Sequence, residues 1–386
     1  MTGRPLTQAL SGTAERPRVV FIAVLDGLGR DTFERISANL PTLSRLRRDG
    51  AWFKEATVNY LPTVTAAGHA TVASGTDPRF HGIQANATFD RRTGKEDEPF
   101  PGMSPKNYMS LTLADHWNLA TSGRGVIIAQ GTTPRAAVSL AGSGACAVSG
   151  RPVVMANFDE RKAAWVTNTD CFRLPAYLED NRGETAWEAA SGAWMGHKVD
   201  SGRTLLRTAI YARFQADSLI EMIEKESVGK DAVSDLLLVN FKTPDYVTHQ
   251  YGPESKEAEE AIHVLDSELG RVLSALDAAA GAGRTVVAIT ADHGMPPEPK
   301  GPDQARRYVE DIEAAVRERF DPNGSQGDER RLVLDFNDAA NCQMYVNLDR
   351  MAELKLTLGD IAAFLEEMPF IRFAFTEDQV RAARVR

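Results

Sequence analysis

Three apolar runs in this chain each lead into carboxylate or imidazole side chains, and that pattern restricts the fold more than any other. The runs are Val19-Val20-Phe21-Ile22-Ala23-Val24-Leu25 before Asp26, Leu236-Leu237-Leu238-Val239-Asn240-Phe241 before Asp245 and His249, and Val286-Val287-Ala288-Ile289-Thr290 before Asp292-His293. Continuous apolar strands of this length suit burial on both faces, as in a parallel sheet covered by helices. Open α/β sheets gather their ligands at the carboxyl ends of the strands. Three Asp and two His delivered to one sheet edge make a set of hard oxygen and imidazole donors suited to zinc, the pattern of a two-metal hydrolase.

With 386 residues the chain has room for one large α/β domain or two smaller ones, and its 43% of hydrophobic residues is enough for a sizeable core. The net charge of -9 argues against a nucleic-acid-binding surface, which needs clustered Lys and Arg. Bound divalent ions would still make one local region positive. Cys146, Cys171 and Cys342 have no metal-type spacing, and their odd number excludes a fully paired framework. Two readings stay open: a Cys146–Cys171 disulfide in an exported protein, or three small buried thiols. No segment approaches the ~20 continuous apolar residues of a membrane span, and the N-terminus lacks the apolar core of a signal peptide. A cytosolic protein, or one whose leader has been removed, fits that reading.

Residues 1–17 read as a flexible, polar lead-in to a single α/β domain over 18–386. Asp31 to Gly50 reads as helix broken at Pro41, and Thr65 to Ser74 as a further helix closed by Gly75-Thr76-Asp77-Pro78. Gly125-Val126-Ile127-Ile128-Ala129 reads as a strand. A charged, Gly/Pro-rich loop over 87–110 and an aperiodic stretch over 141–205, with Trp165, Trp187 and Trp194, suggest a cap inserted around 87–205. Ser201–Glu226 and Ser255–Ala280 read as long helices. In the second, Ala258, Ile262, Leu265, Leu269, Val272, Leu273 and Leu276 form one apolar stripe. His263 and Asp266 beside it read as a structural pair. A second, α+β insertion is expected around 296–380, with a helix over Asp303–Phe320, strands at Arg331–Phe336 and Gln343–Asn347, a helix near Thr357–Glu367 and a strand-like Ile371–Phe375.

Asp245 and His249 lie four residues apart, so on a helix they share a face and can chelate one ion. Asp292 and His293 are adjacent, and only an irregular turn aims both at one metal; Gly294 permits the positive φ such a turn needs. A nucleophile is offered by Thr65 at a helix start, where free backbone amides attract an anionic group. Its hydroxyl is weak near neutrality and gains power when coordinated to zinc. Thr63 is the rival hydroxyl, with a turn or cap role as its ordinary reading.

Taken together, Asp26-Gly27, Pro62-Thr63-Val64-Thr65-Ala66-Ala67-Gly68-His69-Ala70-Thr71, Ser74-Gly75-Thr76, His81-Gly82-Ile83, Asp245 with His249, and Thr290-Ala291-Asp292-His293-Gly294 resemble the alkaline phosphatase superfamily. The similar branch holds the threonine-nucleophile alkaline phosphatases and the nucleotide pyrophosphatase/phosphodiesterases. The resemblance implies a mostly parallel central sheet with helices on both faces. It also implies one zinc held by Asp26, Asp292, His293 and the Thr65 oxygen, and a second held by Asp245 and His249. Asn86 matches the asparagine that donates to a phosphoryl oxygen, and Arg135 one member of a Lys-x-Arg pair that grips a monoester.

Two departures stand out. Thr133 occupies the Lys position of that pair, which moves weight toward diesters; Lys95 or Lys162 from the cap are possible substitutes. The leaving-group zinc of the family takes a further His from a C-terminal block, whereas none of the seven His here lies beyond His293. The second site is thus read as incomplete, and the C-terminal part of the fold as missing. The resemblance implies a phosphomonoesterase working on a small-molecule phosphate ester through a phosphothreonine, with a phosphodiesterase or nucleotide pyrophosphatase as the alternative. A silent metal- or phosphate-binding relative is the third reading. It also implies a periplasmic or secreted location.

Overall fold

The computed structural model describes residues 16–146, 152–301, 307–324, 331–337 and 343–383. Its main sheet has six strands: β1 (Val19–Leu25), β2 (Ile127–Thr132), β3 (Val154–Asp159), β4 (Ala164–Val166), β5 (Asp235–Phe241) and β6 (Thr285–Thr290). They lie in the spatial order β6-β1-β5-β2-β3-β4. Every neighbouring pair is parallel except β3–β4. This is the helix-flanked α/β sheet that the apolar runs predict.

Alternation along the strands divides the interior into two layers. Phe21, Leu237 and Phe241 face one side with α3 (Ala209–Lys225) and α5 (Lys256–Ala280), which contribute Leu219, Leu265, Leu269 and Leu276. Leu236 and Leu238 face the other, against α1 (Thr65–Ser74) and α2 (Pro134–Ala141). The small side chains of Ala66, Ala70, Ala73, Ala137 and Ala141 let those two helices lie close to the sheet. Each fully buried Leu of α5 contributes roughly 1.5–3 kcal/mol, so the stripe, not intrinsic propensity, fixes that helix.

On the same helix Asp266 has a structural role. Asp266 is fully buried and accepts the Thr42 and Leu43 backbone N–H groups at 2.9 and 2.8 Å, which caps the helix Pro41–Asp49. His263 lies 4.0 Å from Glu259.

The chain divides into two compact units, Met1–Asn86 with Glu98–Glu298 and Ala87–Asp97 with Pro299–Arg386. The cap expected around 87–205 is therefore distributed differently. Residues 87–97 form a hairpin grouped with the second unit, while β2, β3 and β4 from the remainder belong to the main sheet. The reason is pairing: β2 joins β5 and β3 joins β2 in parallel registers, and windows read one at a time do not reveal such long-range partners.

The second unit carries β7 (Val333–Asn337) paired antiparallel with β8 (Gln343–Val346), and α6 (Val309–Phe320) and α7 (Leu358–Glu366) around Val316, Leu332, Val346 and Ile361. Ile371–Phe375 forms no strand. Phe373 and Phe375 instead stack on one another, exposed, with no ladder partner among the described residues. Asp303, the expected start of α6, lies outside the described residues, as does Cys342. Cys146 and Cys171 form a disulfide. Among the described residues no helix is long and apolar enough to cross a membrane.

Candidate active site

The register of the sheet sets three strand ends level. Leu25 lies opposite Phe241 and Val24 opposite Thr290, so the chain leaves β1, β5 and β6 along one edge. Beyond those ends come Asp26 after β1, Lys242 at the head of α4 (Thr243–Tyr251) after β5, and Asp292-His293 after β6. Asp26, Asp245 and Asp292 are all buried. Gly27 turns the chain with φ of 69° and donates its N–H to Asp292 Oδ1 at 3.1 Å. A Cβ on Gly27 would stand 3.1 Å from Asp245, so glycine there serves both conformation and contact. Gly294 is not among the described positive-φ glycines; a Cβ on it would instead meet the Gly29 backbone at 3.1 Å.

Thr65 is the first residue of α1 and only 3% exposed, whereas Thr63 is exposed. Thr65 Oγ1 lies 3.4 Å from His293 Nε2 and accepts from Lys242 Nζ at 3.2 Å. Asn86 Oδ1 accepts the Ala66 N–H at 3.0 Å, which fixes the amide orientation and leaves Nδ2 as its donor beside the helix start. Arg135, in the first turn of α2, has a buried Nε with no hydrogen-bond partner among the described residues. The backbone enters that helix unusually, since Thr133 has φ of 71°. No hydrogen bond of Arg135 to Thr65 or to the carboxylates is described.

Two groups of donors converge closely enough to hold a metal ion: Asp26, His69 and Asp292, and Asp26, Asp245 and His293. In each, the ligand atoms lie within 4.8 Å of one another. His293 Nδ1 faces the Gly294 carbonyl at 2.9 Å and so carries the hydrogen in the neutral ring. Its Nε2 is then a bare lone pair, set 3.5 Å from Asp26 Oδ1, 3.5 Å from Asp292 Oδ2 and 3.8 Å from Asp245 Oδ1. Asp26 Oδ1, Asp245 Oδ1 and Asp292 Oδ2 are buried and accept no hydrogen bond of good geometry, their cationic or imidazole neighbours being Lys242 at 3.0 Å, His249 at 3.4 Å and His69 at 3.2 Å. Lone pairs that converge without hydrogens repel unless a cation lies among them, so these residues fit a bound metal. His249 is brought to Asp245, Nε2 to Oδ1 at 3.4 Å, but its side chain is largely exposed and it belongs to neither converging group.

Three further side chains in contact with these donors were given no role in the reading of the sequence. His69, one turn after Thr65, points Nδ1 at the Thr65 carbonyl (2.9 Å) and at Asp292 Oδ2 (3.2 Å). Asn240, inside β5, spends both amide hydrogens, on Asp26 Oδ2 at 2.8 Å and His69 Nε2 at 2.9 Å, and accepts the Thr132 N–H at 3.2 Å. Lys242 ion-pairs with Asp245 Oδ2 at 2.6 Å and Asp26 Oδ1 at 3.0 Å. Their signals were faint: an i,i+4 spacing on a helix, a lone amide in an apolar strand, and a lysine where the apolar run stops.

Electrostatics follows from three buried carboxylates sharing one ammonium. Burial and the neighbouring Asp292 push the Asp26 carboxyl up to about 6, against the pull of Lys242. Burial works on Asp245 in the same direction, but Lys242 and His249 outweigh it and hold that carboxyl far below its usual range. Asp292 is likewise held down, with His69 and His293 overcoming its burial.

The sequence profile described as "Type I phosphodiesterase / nucleotide pyrophosphatase" matches residues 19–356. The chain is 24% identical over 426 residues to alkaline phosphatase PafA of Elizabethkingia meningoseptica, covering 95% of this chain and 76% of that protein. It is 28% identical over 330 residues to alkaline phosphatase PhoV of Synechococcus elongatus, covering 73% of this chain and 60% of that one. The crystal structure of wild-type PafA shares the fold, with a TM-score of 0.79 over 97% of this chain and 81% of that chain at 22% identity. The chain therefore belongs to the type I phosphodiesterase / nucleotide pyrophosphatase family, within the alkaline phosphatase superfamily of phosphoric ester hydrolases.

Proposed function

We propose that the chain is a metal-dependent phosphomonoesterase that acts on a small-molecule phosphate ester through Thr65. One observation carries this reading. The Thr65 hydroxyl is buried at a helix start and lies within 3.4 Å of His293 Nε2, beside the converging Asp26, Asp245 and Asp292.

Asp26, Asp292, His293 and the Thr65 oxygen would hold one zinc, and Asp245 with His249 a second. When bound, such ions supply Lewis-acid stabilisation of the attacking and leaving oxygens. The chain's own groups do the rest. Thr65 Oγ1 lies 3.2 Å from Lys242 Nζ and 3.4 Å from His293 Nε2. With His293 and the Thr65 oxygen given to the ion, the Thr65 proton passes to solvent and the oxygen is left as the attacking group. Thr65 Oγ1 attacks phosphorus, the ester oxygen leaves with its electron pair, and a phosphothreonine forms. Water then cleaves it to free phosphate and restores the hydroxyl. Asn86, held by Ala66, offers Nδ2 to an equatorial oxygen, and the amides at the start of α1 favour the same negative charge. Arg135, with an unpartnered Nε, is the residue offered to a second oxygen.

The second reading, a phosphodiesterase, is favoured by Thr133 where a monoesterase would carry Lys. Hydrolysis of p-nitrophenyl phosphate against bis-p-nitrophenyl phosphate by the zinc-loaded protein separates the two; a strong diester preference overturns the monoesterase. Thr65→Ala is expected to reduce kcat by roughly three orders of magnitude or more. Acid quenching of the wild type should trap phosphate on Thr65, detected by mass spectrometry of the peptide. Absence of turnover and of label in the zinc-loaded wild type would identify a silent relative.

A further inference from the structure

Lys242 is the one buried lysine among the described residues, 1% exposed at the junction of β5 and α4. Its ammonium faces three oxygens: Asp245 Oδ2 at 2.6 Å and Asp26 Oδ1 at 3.0 Å as ion pairs, and Thr65 Oγ1 at 3.2 Å as a hydrogen bond. Each of the three is a residue assigned above to a metal, Asp26 and Thr65 to one ion and Asp245 to the other. This inference rests on that metal-binding reading.

Zinc takes carboxylate oxygens at about 2.0–2.2 Å. An ion on the oxygens that hold the ammonium would therefore stand within about 5 Å of Nζ, where two cations in a buried site repel strongly. Ammonium and metal compete for the same lone pairs. We propose that Lys242 is the resident cation of the ligand cluster: it holds Asp26, Asp245 and Thr65 together before metal arrives, and it must be displaced for metal to load. Lys242 is thus a positioning residue that sets the metal concentration at which the site fills.

One further observation supports the proposal: a seat for the displaced head is at hand. The ring of Tyr246, one helical turn further on, has its centroid 5.0 Å from Nζ, within cation–π range.

The test measures zinc affinity at pH 7.5 by competition with a chromophoric chelator, and thermal unfolding with and without zinc, for wild type and Lys242→Met. Lys242→Met is expected to melt lower than wild type when metal-free and to bind zinc about tenfold or more tightly. Zinc should also raise its Tm by more than it raises that of the wild type. If metal-free Lys242→Met does not fold, Lys242→Gln carries the same expectations, since it keeps a neutral donor for Thr65. Equal or weaker zinc binding by a folded variant overturns the proposal and leaves the metal reading intact. Failure of both proteins to bind zinc overturns the two together.

Discussion

His81 accepts the Ile83 backbone N–H at Nδ1 (3.1 Å), so its Nε2 carries the hydrogen toward Thr71 Oγ1 at 3.2 Å. A proton on Nδ1 would destroy the first contact. Burial, against a weaker opposite pull from Asp77, lowers the His81 pKa to about 4. The unfolded chain binds this proton at about 6.5, so between these values the unfolded state is the more protonated. The stabilisation is complete above about 6.5 and is lost as pH falls toward 4. Denaturation of wild type and His81→Asn across that window should show a shallower pH slope in the variant. Asn240 gives a second residue-scale expectation. Asn240→Leu strips donors from Asp26 Oδ2 and His69 Nε2, and should cost on the order of 1–3 kcal/mol for each buried group left unsatisfied. Denaturant midpoints measure that loss. In the sequence the carboxylates and Thr65 were visible because they follow long apolar runs or stand at the start of a readable helix. Asn240, His69 and Lys242 were not, because their value lies in partners far along the chain: Asn240 is 214 positions from Asp26 and 171 from His69.

Among the elements, α1 depends on a glycine that its sequence does not advertise. A Cβ on Gly68 would stand 2.6 Å from Asp292 Cβ and 2.8 Å from its carbonyl oxygen, so the helix approaches the turn after β6 only because position 68 is bare. Gly68→Ala should cost about 1–3 kcal/mol by overpacking, even though alanine favours helix. It should also lower kcat more than KM, because it moves Thr65 relative to Asp292. The helix Pro41–Asp49 is capped from a distance by Asp266, and Asp266→Ala should cost about 0.5–2 kcal/mol in a urea titration. Helices and strands with a long apolar period were legible, as α5 and the three founding strands show. Ile371–Phe375 read as a strand for the same local reason and failed because a strand also requires a partner.

For the whole molecule, the Cys146–Cys171 disulfide closes a sequence separation of 25 residues. Its reduction should lower stability by about 3 kcal/mol, measured as the Tm difference with and without dithiothreitol. The apolar runs, the Asp and His that come after them and the helix-start threonine were determined by the sequence alone, since burial on two faces and ligand chemistry are properties of residue type and local period. Which donors meet was decided only by the tertiary structure. His293 converges with Asp26 and Asp245, His69 with Asp26 and Asp292, and an ammonium that no local pattern announces lies between two carboxylates and the Thr65 hydroxyl. The parallel register levels three strand ends that are far apart in the chain, and convergence of charge depends on that level, which no window of sequence contains.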